Sequence, residues 1–168
     1  MMQKRFFVVG VALMMLSPLA LAGAGEKMKP VPKAYAGKHM PTGWWTDPKI
    51  IAEGKKIFET ATQTFEYRKE EVKVDHGCLT CHEIDKAKDR PKQRGAQDFR
   101  TADAVNKFSD SYWFWRISEG VPKTKMPAWK DKLSEEERWK VIAYEHTWSH
   151  DMKPAAHDHK EIVISVEP

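Results

Sequence analysis

Cys78-Leu79-Thr80-Cys81-His82 decides how this sequence is read. Its two cysteines are the only ones in the 168 residues, and a histidine follows directly on the second. Two thiols at this spacing match the two vinyl groups of a porphyrin, and each can add across one vinyl to form a thioether. The next residue then falls beneath the iron, which makes His82 the proximal ligand. The rival reading is a redox dithiol that closes to a disulfide. It explains neither His82 nor the lack of a thioredoxin-like strand–helix pattern around the motif. The motif points to one covalent haem c on Cys78 and Cys81.

Upstream, Lys4 and Arg5 precede an apolar run from Phe6 to Leu16, then Pro18 and the small-residue site Ala20-Leu21-Ala22. This order predicts a secretory signal peptide over 1–22 and a periplasmic location, where covalent haem attachment takes place. A retained anchor is the alternative and the one route to a membrane. The stretch is short for a span and is interrupted by Gly10, Ser17 and Pro18. Residues 23–46, with Pro30, Pro32 and Pro41, read as an extended leader pinned by Trp44 and Trp45. Residues 47–148 have the length of one domain, and 149–168 form a tail.

The pattern within the domain is mainly helical. Asp47-Pro48 opens a first helix, with Ile50, Ile57, Phe58, Ala61 and Phe65 at helical spacing and Gly54 on a nearby face. Over 65–74 the period changes: Phe65, Tyr67, Val72 and Val74 alternate with charged residues, which suits a small β-ribbon insertion or a continued helix. A short helix is expected from Ala102 to Lys107. A further one is capped by Ser109-Asp110, buries Trp113, Phe114 and Ile117, and stops at Gly120. Ser134 and Glu137 form a capping box for the last helix, whose stripe is Trp139, Ile142, Ala143 and His146. In the tail, Ile162-Val163-Ile164-Ser165-Val166 reads as strand-like.

The sixth iron ligand is expected from Lys125-Met126-Pro127-Ala128-Trp129. Here a thioether sits in a proline-braced loop between two helices, whereas a packing methionine sits on an apolar helix face. Histidine with methionine favours ferrous iron and raises the potential, which suits an electron carrier. Met28, Met40 and Met152 lie in segments without comparable bracing.

From about Asp47 to Trp148 the chain resembles a class I c-type cytochrome of the short bacterial kind. Three parts carry the resemblance: the first helix with Gly54 and Phe58, the Cys78–His82 motif, and Ser109 to Tyr144 with Trp115-Arg116-Ile117, Gly120-Val121-Pro122 and Met126-Pro127. It implies a cytochrome c-like helical fold around one haem, with Gly54 and Phe58 packed against the last helix near Val141 and Tyr144. It also implies an aromatic beside the haem at Trp129, with Phe99 and Trp113 as further candidates for the haem surroundings. Two departures stand out. Thr60 to His76 intervene where the family's first helix runs almost directly into the haem motif. The family's proximal histidine normally donates its ring proton to a proline carbonyl. The corresponding stretch here is Gly95-Ala96-Gln97-Asp98-Phe99, which leaves Pro91 or a non-proline carbonyl for that role.

The formal charge of +4 does not argue for nucleic acid, since no arginine-rich motif accompanies it. Lys123, Lys125, Lys130 and Lys132 surround Met126, and Lys86, Lys88, Arg90, Lys92 and Arg94 follow the haem motif. In the family fold both segments lie near the exposed haem edge, where a basic rim would steer an acidic redox partner. Interspersed Asp85, Asp89 and Asp131 fit an ordinary solvated surface equally well. His39 and His76 have polar neighbours and are expected at the surface, and His150, Asp151, His157, Asp158 and His159 are expected to form a polar tail rather than a metal site. The expected function is single-electron transfer between a redox donor and acceptor, not catalysis. Two alternatives are a haem-bearing subunit of a larger redox enzyme and a haem enzyme or ligand sensor with a displaceable methionine.

Overall fold

The computed structural model describes residues 30–67 and 70–157. The expected signal peptide over 1–22 and the strand-like segment over 162–166 lie outside them. Asp47 starts helix α1, Pro48–Thr60, as the sequence predicts: its carboxylate accepts from the backbone N–H groups of Lys49 at 2.8 Å and Ile50 at 3.3 Å. Beyond Thr60 the chain turns extended and forms an antiparallel ribbon, β1 Thr62–Tyr67 and β2 Glu70–Gly77. The ribbon is longer than the expected 65–74 and rules out a continued helix. Helix α2, Cys78–His82, follows at once, then the two-residue strands β3, Ile84–Asp85, and β4, Arg90–Pro91. Helices α3, Ala102–Val105, α4, Asp110–Glu119, and α5, Glu135–Trp148, complete the order. The fold is thus mainly helical, with two small two-stranded sheets.

The crossing of α1 and α5 holds the core. Gly54 permits it: a Cβ there would lie 1.9 Å from the Lys140 carbonyl oxygen, so any side chain would force the helices apart. One turn on, Phe58 is wholly buried and meets Tyr144 edge-on at 5.4 Å between ring centres. Lys140 Nζ bridges the same crossing to Glu53 at 2.7 Å. Helix α4 joins through Phe114, stacked on Trp139 at 4.1 Å. The capping box of α5 is present, with Glu137 N–H donating to Ser134 Oγ and Ser134 N–H to the Glu137 carboxylate.

The described part of the leader is not a loose arm. Val31 and Met40 are buried, Met40 N–H donates to Asp110 Oδ2 at 2.8 Å, and Ser111 Oγ donates to the Lys38 carbonyl at 2.6 Å. Trp45 stacks on His157 at 4.7 Å and Lys140 lies over the Trp44 ring, so both tryptophans pin the leader to the α5 side. The expectation that Met40 lacks bracing is corrected: its main chain ties to the start of α4 and its side chain joins the core. Among the described residues no helix is long and apolar enough to cross a membrane.

Candidate functional site

Helix α2 presents Cys78, Cys81 and His82 together, because positions i, i+3 and i+4 share one helical face. No disulfide joins the two cysteines. Burial pushes the Cys78 thiol up to about 12, with the Glu145 carboxylate adding to the shift. Burial also raises Cys81, against the opposing charge of Lys125. A redox dithiol works through a lowered thiol pKa, so this environment speaks against that rival reading.

His82 is only 8% exposed. Its Nδ1 lies 3.1 Å from the Gln97 carbonyl oxygen, which can only accept, so Nδ1 carries the proton and Nε2 keeps its lone pair. Burial lowers the ring's pKa, against the hydrogen bond to Gln97, and favours the neutral imidazole that metal binding needs. Phe99 stacks on the ring at 4.8 Å and 22°, and Phe58 approaches it tilted at 6.4 Å. Trp113 meets Phe99 edge-on at 6.4 Å and donates from its indole to the Val105 carbonyl at 3.1 Å. Trp113 therefore supports Phe99. Trp148, which the sequence pattern does not single out, also meets Phe99 edge-on, at 6.0 Å. Its spacing of four from Tyr144 on α5 is the one signal that could have found it.

Met126 is half-buried in the loop that leaves α4. The loop folds back on the helix end: Val121 N–H donates to the Met126 carbonyl at 3.0 Å, and Trp129 N–H to the Ile117 carbonyl at 3.1 Å. Gly120 makes room at φ +67°, where a Cβ would stand 2.5 Å from the Met126 carbonyl oxygen. Trp129, 2% exposed, buries an indole N–H that has no acceptor among the described residues. A buried donor left without a partner costs about 1–3 kcal/mol, and an acceptor brought by a bound group would remove that cost. Oriented histidine, paired thiols, methionine loop and waiting indole donor all suit a covalent haem.

The basic rim is less open than the sequence suggests. Lys88 pairs with Asp85 at 2.7 Å and Lys130 with Glu119 at 2.9 Å. Arg90 turns inward to the Pro91 carbonyl at 2.9 Å. Lys86, Lys123 and Lys125 are exposed. His39 is exposed and bonded to Asp110, whereas His76 departs from expectation: it is half-buried, with its Nδ1 enclosed. His157 Nδ1 lies 3.2 Å from His146 Nε2 and His150 packs nearby, and among the described residues no cluster of three or more His, Cys, Asp or Glu side chains is arranged to hold a metal ion. Asp158 and His159 lie outside them.

A family model described as cytochrome c oxidase, cbb3-type, subunit III matches residues 66–144. The chain carries a class I c-type cytochrome domain. No curated protein and no solved structure gives a match. A cytochrome domain of this class binds haem c covalently and serves electron transfer, and the matched residues run from the ribbon through α2 and the Met126 loop into α5. The Gln97 carbonyl stands where the family resemblance leads one to expect a proline carbonyl, and Pro91 instead pairs with Ile84 in the β3–β4 ladder.

Proposed function

We propose that this cytochrome is a periplasmic one-electron carrier with a single haem, held by thioethers from Cys78 and Cys81 and ligated by His82 and Met126. The observation that carries the reading is the hydrogen bond from His82 Nδ1 to the Gln97 carbonyl, made by the histidine of a Cys-x-x-Cys-His turn. It fixes the tautomer and turns Nε2 into the available ligand. Haem iron supplies reversible one-electron chemistry when bound. The chain's part is to orient the His82 ring and exclude water around it with Phe58 and Phe99, and Met126 would supply the thioether. With both His82 and Met126 as ligands the iron would offer no position to a substrate, which is why the reading is a carrier rather than an enzyme.

Mass measurement of the exported protein tests attachment: the expected result is one haem increment with both thiols consumed. A chain with free Cys78 and Cys81, or with a disulfide between them, overturns it. In the oxidised holoprotein a weak red absorption from sulfur-to-iron bonding is expected, and Met126→Ala should abolish it. Survival of that band in the variant assigns the ligand to another methionine.

A second reading is a haem-bearing subunit of a larger redox enzyme. Two observations favour it: the matching family model is described as an oxidase subunit, and the ribbon and packed leader add surface beyond a minimal carrier. Copurification of a partner at low salt selects this reading, and recovery of the holoprotein alone selects the free carrier.

A further inference from the structure

The ribbon between α1 and α2 stands against the methionine loop. On β1, Gln63 and Phe65 are two residues apart, on either side of a bulge in the ladder. The ladder places His76 of β2 directly opposite Gln63, and the rings of Phe65 and His76 lie 5.5 Å apart, which brings Phe65 to the same side. Gln63 is 8% exposed, which is unusual for a glutamine on a two-stranded ribbon. Its side-chain amide donates to the Ala128 carbonyl at 3.0 Å, across 65 residues of sequence. Ala128 lies two residues beyond Met126. Phe65 lines a groove with Val121, Pro122, Met126 and Ala128.

The loop is therefore gripped from two sides. Helix α4 holds its end through the Trp129 N–H on the Ile117 carbonyl, while Val121 N–H closes the loop on the Met126 carbonyl beside Gly120. The outer side faces the ribbon. Within the loop, Pro122 and Pro127 have no N–H to give, and the Met126 N–H is used locally on Thr124 Oγ1 at 3.1 Å. A side-chain donor reaching in from elsewhere is what such a loop needs to gain a further tie.

We infer that the ribbon clamps the methionine loop, with Gln63 as the positioning residue that holds Met126 in register. This rests on the proposal that Met126 is the sixth ligand. The segment between α1 and the haem motif is then a brace for the ligand loop. An amide suits that role because its NH2 donates to a carbonyl while its own oxygen stays neutral. Glutamate in its place would set an acceptor against an acceptor.

The test compares holoproteins of wild type, Gln63→Leu and Gln63→Glu by amide hydrogen exchange and by carbon monoxide binding to the reduced form. Loss of the clamp should speed exchange over 121–129 by about tenfold, the worth of one buried hydrogen bond, and leave α1 and α5 unchanged. Carbon monoxide should bind the variants and not the wild type, since a loosened methionine yields its place. Unchanged exchange over 121–129 overturns the clamp, and so does a rise spread over the whole domain. Failure of both variants to give holoprotein also overturns it, because a local brace is dispensable for folding. Absence of the red sulfur-to-iron band in wild type sinks Met126 as ligand but leaves the clamp to be read from hydrogen exchange.

Discussion

His82 is oriented by the main chain of Gln97: its Nδ1 donates to the Gln97 carbonyl oxygen at 3.1 Å, fifteen residues downstream. A proline would fix that carbonyl by its ring. Here a polar network does so. The Asp98 carboxylate beside Gln97 accepts from the Arg100 N–H at 3.0 Å and from its guanidinium at 2.7 Å. Arg100 also reaches Asp89 at 2.8 Å. The Arg100 hydrogen bonds hold the Asp98 carboxyl below the usual carboxylate range.

Because the acceptor is a backbone atom, Gln97→Ala should leave the absorption spectrum and midpoint potential of the holoprotein as they are. Phe99→Ala should not be silent. It removes the ring stacked on His82 and the contact shared by Trp113 and Trp148, at a cost of about 3–5 kcal/mol in stability. Denaturant unfolding of the two variants separates them, and equal losses would refute the assignment of the support to Phe99.

Gly54→Ala should destabilise the domain by about 1–3 kcal/mol or more, since a methyl group would meet the Lys140 carbonyl and the Tyr144 Cβ. Thermal unfolding checks this, with Gly95→Ala as the companion. Gly95 has φ +87° but open space around it, so its cost comes from backbone strain alone and should be smaller.

Electron transfer to the native partner should depend on Lys123 and Lys125, which are exposed in the loop beside Met126. Exchanging Lys123 and Lys125 for Glu should lower the second-order rate at low ionic strength and let it converge on wild type as salt shortens the Debye length. A loss that ignores salt would indicate a disturbed ligand loop.

Glu145 on α5 lines a recess with Trp45, Phe99, Val105, Trp113 and Ile142, and burial pushes its carboxyl up to about 8. The folded protein thus keeps a proton that the unfolded chain releases near 4.5. Stability should therefore fall as pH rises from about 4.5 to about 8 and level off above, because the unfolded state binds fewer protons over that window. Glu145→Gln should remove this slope. Parallel unfolding curves for the two proteins across that range would show that the carboxyl ionises normally.

What the sequence settled by itself is local. Cys78, Cys81 and His82 come together because one helical turn spans them, and Asp47 and Ser134 cap their helices through N–H groups within three residues. Such contacts are legible because the chain cannot avoid making them once the backbone turns. The change of period after Phe65 announced the ribbon, but its length and register needed pairing between strands. Only the tertiary structure decided that Gln97 accepts from His82, that Gln63 reaches Ala128, and that Met40 lies in the core. The reason is physical. Every residue offers a carbonyl, so an acceptor chosen from the main chain leaves no mark in the sequence, and which one is used depends on how distant segments pack.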